Sequence, residues 1–235
     1  MRVRVLADAD AVSWAAAAHI AHRARSAVAE RGRFSLAVSG GSTPAAMLAA
    51  LATEDVPWAA VDVFQVDERV APDGHPERNA TDLAEALLGR VPLPPGGVHL
   101  MPVTDADLAQ AAAAYAAELS SVCGTPPVLD LVHLGLGDDG HTASLPPGDP
   151  VLEVTGAAVA VSAPYGGRVR MTLTLPTLNA AREVVWLVSG AGKAAVLRRV
   201  VEGDRSLPAA RVLADRALLF ADRPAAASLS GGRAG

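Results

Sequence analysis

Four short apolar runs constrain this chain more than any other feature. Residues 34–38, 61–66, 129–134 and 184–188 are each five or six residues long, rich in Val, Leu and Phe, and each runs into glycine, hydroxyl or charged residues. Runs of that length and content read as strands. Between them lie Ala-rich segments with helical spacing. Val12, Ala16, Ile20, Ala24 and Ala27 recur on one face across 11–31 before Gly32 stops the pattern. Residues 45–51, 79–88, 105–119 (with carboxylates in its first turn) and a stretch from Lys193 to about Val201 read as further helices. Strands alternating with helices predict an α/β, Rossmann-like fold: a mainly parallel sheet with helices on both faces. Residues 159–162 and 169–174, joined through Tyr165-Gly166-Gly167, are expected to form a hairpin and give a small antiparallel addition. No long linker or repeat interrupts the pattern. One domain is therefore expected over 1–227, followed by a small, polar tail at 228–235 that frays.

Composition removes several functional classes. With 51% apolar and 19% charged residues the 235-residue chain is too apolar to be disordered. Twenty basic against twenty-five acidic residues give a net charge of -5, without the basic footprint of a nucleic-acid binder. Cys123 is the single cysteine, which excludes an internal disulfide and a Cys-rich zinc site and suits a reducing, cytoplasmic setting. The opening MRVRVLADADAVSW has no apolar stretch behind its arginines, and nowhere do 18 apolar residues run uninterrupted, so neither export nor a membrane span is expected. All basic residues but one are arginine. Lys193 stands alone, which marks it for chemistry that a guanidinium cannot supply.

Ligands of open α/β sheets bind at the carboxyl ends of the strands, so the four strand ends are candidates to line one pocket. Ser39-Gly40-Gly41-Ser42-Thr43-Pro44 offers glycines where backbone can approach a ligand and a helix start that suits phosphate. The competing reading is a plain helix cap by Ser42 or Thr43 with Pro44 in the first turn. Ala37-Val38-Ser39-Gly40-Gly41 also approaches the nucleophile elbow of serine hydrolases, but Ala37 stands where glycine is needed and no histidine follows His141. Asp67-Glu68-Arg69 is either a solvated strand end or a bidentate phosphate grip through Arg69. Gly135 to Gly140 has dinucleotide-fingerprint spacing, but two aspartates would oppose a pyrophosphate and no helix follows. What remains is a tight turn presenting Asp138, Asp139 and His141, suited to acid–base chemistry or merely exposed. Gly190-Ala191-Gly192-Lys193 lacks the first glycine and the Ser or Thr of a Walker loop. A lysine at a helix N-terminus opposes the helix dipole unless an anion lies beside it. His133 reads as a core residue, and His19, His22, His75 and His99 as surface. No metal-ligand cluster emerges.

Taken in order, VSGGSTP, FQVDERV, LGLGDDGHTASLPPG and SGAGK, with RVRMTLTLPTLNAAR before the last, resemble the 6-phosphogluconolactonases. The resemblance runs from about residue 30 to 227, and DGHTASL is its most specific piece. It implies an α/β fold shared with glucosamine-6-phosphate deaminases, a cytoplasmic location, no metal or organic cofactor, and hydrolysis of a phosphorylated δ-lactone. It implies His141 as general base and Asp139 as the residue that orients or tunes it. Ser39, Gly40, Gly41, Ser42, Thr43, Arg69, Arg170 and Lys193 would hold the phosphate and the ring oxygens. Two departures stand out: Pro146 where the family has Phe, and Leu219-Phe220 where it has Trp. A deaminase is the nearest alternative, but that family follows its Asp-Glu with Tyr, where Arg69 stands here. A non-catalytic sugar-phosphate sensor is the other, but such regulators carry a DNA-binding segment for which this chain has no room. The expected partner is a small sugar phosphate, with neither nucleic acid nor membrane, for a monomer or weak homo-oligomer.

Overall fold

The computed structural model describes residues 1–229, except for the side chain of Ser42. Of the tail expected over 228–235, residues 230–235 lie outside the described residues. The chain runs β1 (Arg2–Leu6), α1 (Ala9–Arg31), β2 (Phe34–Val38), α2 (Ser42–Leu51), β3 (Val61–Gln65), β4 (Asp67–Arg69), α3 (Asn79–Leu83), β5 (Val98–His99) and α4 (Leu108–Cys123). It continues through β6 (Leu131–Leu134), β7 (Val159–Tyr165), β8 (Arg168–Leu173), α5 (Leu175–Ala180), β9 (Val184–Val188), α6 (Ala194–Val201), β10 (Ala217–Asp222) and α7 (Arg223–Ala226).

Seven strands form a parallel sheet in the order β1-β10-β9-β6-β2-β3-β5. Side chains alternate across it, as the period of two in a strand requires. Leu36, Val63, Leu131, Val185, Leu187 and Phe220 face a core shared with α1, α2 and α3. Ala37, Phe64, Val132, Leu134, Trp186 and Leu219 face a second core shared with α4, α5, α6 and α7. The expected parallel sheet, covered on both sides, is therefore present. The small antiparallel sheet is present too, in the order β4-β8-β7. Its hairpin turns on Gly166 and Gly167, both at positive φ (59° and 80°), the conformation a two-residue type I′ turn demands.

Helix boundaries follow their caps. Asp8 accepts from the Ala11 amide to start α1, and Gly32 at φ 75° ends it. The buried face of α1 is largely alanine (Ala16, Ala17, Ala21, Ala24 and Ala27), so the helix can approach the sheet closely. In α4 the cap is Asp107, which accepts from Ala109 and Gln110, so the helix begins three residues later than 105. Residues 79–88 split into α3 and a π-helical turn over Ala84–Leu88.

Four strands escaped the sequence pattern, among them the two-residue β5. β1 alternates arginine and valine on an exposed edge and pairs only with β10. The run in β10 is apolar but too short for periodicity to separate strand from buried helix. β4 is the charged triplet Asp67–Arg69, a strand recognisable only from its partner β8.

His99 is buried, not at the surface. Its ring stacks on Phe64 with centroids 4.1 Å apart and bridges two carboxylates, Glu118 Oε1 at 2.6 Å from Nδ1 and Asp62 Oδ1 at 3.2 Å from Nε2. Burial pulls its pKa down, but the hydrogen bonds with Asp62 and Glu118 outweigh that and hold it above 6.5. A raised folded pKa stabilises the fold fully below the unfolded value, and that stabilisation is lost as pH rises through the folded value. Urea midpoints between pH 6 and pH 9 should therefore fall more steeply with pH in wild type than in His99→Gln. Parallel pH profiles for the two proteins would show that His99 contributes nothing of this kind.

Candidate active site

The sheet adds strands in one direction from β2 through β3 to β5, then returns to place β6 on the other side of β2. A topological switch point therefore lies between β2 and β6, where a crevice opens beyond the strand ends. A cleft of about 330 Å³ occupies it. Ser39, Gly40, Gly41, Thr43, Arg69, His141, Arg170 and Lys193 all line this cleft, along with Asp67, Asn79 and Ser189. A larger groove of about 690 Å³ runs between α4, β7 and α5, but among its lining residues none is titratable.

The first wall is the turn after β2. Gly40 admits no Cβ, because one would sit 2.0 Å from Asn79 Oδ1. Gly41 adopts φ 115° and is itself the cap residue of α2, so the cap position falls before Ser42 and Thr43 and carries no side chain. With no side chain at the cap position, the start of α2 opens on the cleft as an anion-binding helix terminus does. Ser39 is buried, and its Oγ donates to the His133 carbonyl at 3.0 Å rather than to an imidazole. His133 Nδ1 meets the Ser39 amide at 3.4 Å, and burial pushes the His133 pKa down to about 4. Without a base on its hydroxyl, Ser39 does not have the environment of an activated serine nucleophile.

The second wall is β4, which is far from a solvated strand end. Glu68 is fully buried, forms an ion pair with the buried Arg78 at 3.0 Å and accepts from the amides of Arg69, Asn79 and Ala80 and from Gln65 Nε2. That knot fixes the loop before α3. Asp67 accepts from Ser144 Oγ at 2.6 Å and from Asn79 Nδ2 at 3.3 Å. Burial pushes the Asp67 pKa above the usual carboxylate range, against the Ser144 hydrogen bond and the Arg69 charge. Arg69 and Arg170 are cross-strand partners, and both have buried Nε atoms without a partner among the described residues.

The third wall is the turn after β6. Its backbone closes through Gly137 N to His141 O at 2.9 Å, with Gly140 at φ 85° against Leu207. The His141 ring lies on Gly137, where a Cβ would come within 2.0 Å of Nδ1. Asp139 Oδ1 accepts from the His141 amide at 3.1 Å and lies 2.6 Å from Nδ1. Tyr165 donates its hydroxyl to Asp139 Oδ2 at 2.9 Å. Burial raises the Asp139 pKa, but the hydrogen bonds from His141 and Tyr165 together hold it below the usual range. Opposite, Lys193 at the start of α6 pairs with Asp138 at 2.6 Å, the anion that its position at a helix N-terminus calls for. Asp222 anchors the lysine loop by accepting from the Gly190 amide at 2.9 Å.

The fold and this geometry can be compared with known proteins. The family model of glucosamine-6-phosphate isomerases/6-phosphogluconolactonase matches residues 7–220. This chain belongs to that family. It is 43% identical to a 6-phosphogluconolactonase of Synechocystis sp. over 175 residues, 73% of this chain and 72% of that protein. It is 37% identical to the 6-phosphogluconolactonase of Mycobacterium tuberculosis over 241 residues, 97% of this chain and 98% of the other. The solved 6-phosphogluconolactonase of Trypanosoma brucei superposes with a TM-score of 0.84 at 28% identity, covering 97% of this chain and 98% of that one.

Within this family member, sequence reasoning missed Asp67, Asn79 and Tyr165. Asp67 stands in the Asp67-Glu68-Arg69 strand end, where Arg69 drew the functional reading, Asn79 carries no local pattern, and Tyr165 looked like a turn residue. Among the described residues no group of three or more His, Cys, Asp or Glu could hold a metal ion. Removing one member of a buried ion pair typically costs about 3–5 kcal/mol. Glu68→Ala should destabilise the protein by that order in urea unfolding and weaken inorganic phosphate binding by calorimetry. A neutral effect on both would mean that the Glu68–Arg78 knot does not support the cleft.

Proposed function

We propose that the protein hydrolyses 6-phospho-D-glucono-1,5-lactone to 6-phospho-D-gluconate, the lactonase step of the oxidative pentose phosphate pathway, by general-base activation of water. The observation that carries the reading is an imidazole–carboxylate pair, His141 with Asp139, opening on a cleft ringed by Arg69, Arg170 and Lys193. This chain aligns with 72% and 98% of the length of the two 6-phosphogluconolactonases named above.

In this mechanism Asp139 accepts Nδ1–H and so leaves the Nε2 lone pair of His141 for water. Water loses a proton to Nε2 as its oxygen bonds to C1, and the carbonyl electron pair moves to the exocyclic oxygen. Collapse of the tetrahedral intermediate breaks the bond from C1 to the ring oxygen, which takes the proton from the imidazolium. The product carboxylic acid then ionises. Lys193 and the cleft arginines supply fixed positive charge for the phosphate and the developing oxyanion. The start of α2 with Ser39, Gly40, Gly41, Ser42 and Thr43 holds the phosphate, so remote binding positions C1. A δ-lactone is an activated ester, and one base with a few donors suffices. The reading covers residues 1–227 as one cytoplasmic unit, a monomer or weak homo-oligomer without nucleic-acid partners, in keeping with the net charge of -5. No helix of the described residues is long and apolar enough to cross a membrane.

The direct test generates the lactone in situ and follows its loss above the spontaneous rate, with glucosamine 6-phosphate as a parallel substrate. Turnover of the amine alone would replace the lactonase by a deaminase. His141→Ala should lower kcat by roughly 10²–10⁴-fold and leave inorganic phosphate affinity nearly unchanged. Normal turnover in the folded variant would remove His141 from the chemistry. Lys193→Ala should raise KM, lower kcat, or both, without loss of thermal stability. Lys193→Arg should not restore full activity, because a planar fork replaces a compact ammonium. An arginine variant as active as wild type would refute a specific role for the lysine.

A further inference from the structure

Resting on the lactonase reading, we infer that Tyr165 is a positioning residue that ties the His141–Asp139 pair to the substrate-binding Arg170. Its hydroxyl and its ring do separate work. The hydroxyl donates to Asp139 Oδ2 at 2.9 Å and lies 3.2 Å from His141 Nδ1. The other oxygen of the same carboxylate is taken by His141, so Asp139 is held at both ends. The ring meets the imidazole edge to face, with centroids 5.2 Å apart at 68°, and the guanidinium carbon of Arg170 lies 4.9 Å from its centroid. A cation over an aromatic face is attracted by the ring quadrupole.

The backbone explains how one residue reaches both partners. The pairing of β7 with β8 is regular up to Ser162 opposite Arg170, then shifts register before Tyr165 meets Arg168. A bulge of this kind re-aims the side chain that follows it. Here it turns a residue at the tip of a hairpin in toward the turn after β6. Asp139 sits on a surface turn and would otherwise have a single partner. A carboxylate held through one oxygen only, by the amide and ring of a single residue, can swing its other oxygen free, and with it the imidazole it orients. Tyr165 removes that freedom, and because its ring also lies against Arg170, the cation and the base share one support. A ligand that binds Arg170 therefore acts on the dyad through the same ring.

The groups facing His141 define what a pH measurement reads. They are Asp139 and the Lys193-paired Asp138 on its own turn, Tyr165 from β7, and the cleft residues Arg170 and Asp67. Loss of the Tyr165 hydroxyl leaves the Asp139 charge less dispersed, so the imidazolium is favoured and the acid limb of the kcat profile should move to higher pH.

Two substitutions separate the two roles. Tyr165→Phe keeps the ring and removes the hydroxyl. It should lower kcat roughly 10–150-fold, the range expected for one hydrogen bond to a charged group, raise the acid limb of the pH profile, and leave KM within about twofold. Tyr165→Leu removes both contacts and should in addition raise KM and weaken inorganic phosphate binding by several-fold, as loss of a cation–π contact predicts. Thermal melts of both variants separate these effects from unfolding. NMR titration of the His141 ring, with and without inorganic phosphate, reads the same coupling without any turnover assay. If wild type proves inactive on the lactone, the functional reading fails while this titration still decides the role of Tyr165. A Tyr165→Phe variant with wild-type kcat, acid limb and His141 titration overturns the proposal. So does a Tyr165→Leu variant that matches Tyr165→Phe in KM and phosphate affinity.

Discussion

The cleft depends on how soon β2 and β6 part. These adjacent parallel strands share only two register pairs, Leu36 with Leu131 and Ala37 with Val132, before their carboxyl ends diverge. Had the ladder run on, Ser39 and Gly135 would be sheet residues and no crevice would open. The divergence leaves backbone groups to satisfy, and the Ser39 hydroxyl and amide take up part of that task by bonding His133 across the gap. Ser39 is thus explained as a brace between the two strands whose following turns carry the anion-binding loop and the base. The resemblance to a nucleophile elbow was one of residue types, and the hydrogen bonds assign those types a different job.

Charge in the cleft is arranged against the trend of the whole molecule. The chain is acidic, at -5, yet Arg69, Arg170 and Lys193 converge on one opening. Buried carboxylates make this possible. Glu68 fixes the loop through Arg78 and three backbone amides, and Asp67 lines the cleft near enough to both arginines to feel their charge. An acidic exterior with a cationic cleft in a low-dielectric wall focuses the field on a small anion and gives nucleic acid no extended basic face.

Much of this is legible in the amino-acid sequence. The strands at 34–38, 61–66, 129–134 and 184–188 were visible because strands covered on both faces need nearly continuous apolar residues. Their ends supplied every cleft-lining candidate but Arg170, which the family resemblance implied, because the parallel sheet gathers its carboxyl ends on one side. The missed pieces share another property: their meaning lies in a partner distant in sequence. β1 is defined by β10, the charged strand β4 by β8, and buried His99 by Asp62 and Glu118. Tyr165 was read as the shoulder of a turn. Only a register shift between two strands reveals that its hydroxyl reaches a carboxylate 26 residues earlier.

The two arginines show how the fold keeps such a site ready. Arg69 and Arg170 face one another across β4 and β8, an arrangement that like charges oppose. Burial, and next the charge of Arg69, lowers the pKa of Arg170. Each contributes a buried Nε without a partner among the described residues, so the guanidinium donors are not exhausted by the protein. A folded chain tolerates such a local cost where other contacts over-determine the geometry. Here the Glu77 carbonyl accepts from Arg69 at 2.7 Å, the Tyr165 ring supports Arg170, and Asp67 lies near enough to both arginines to feel their charge. An incoming anion meets donors already fixed in place, and its charge relieves the repulsion between them. Binding energy spent in this way is available for holding C1 against the base.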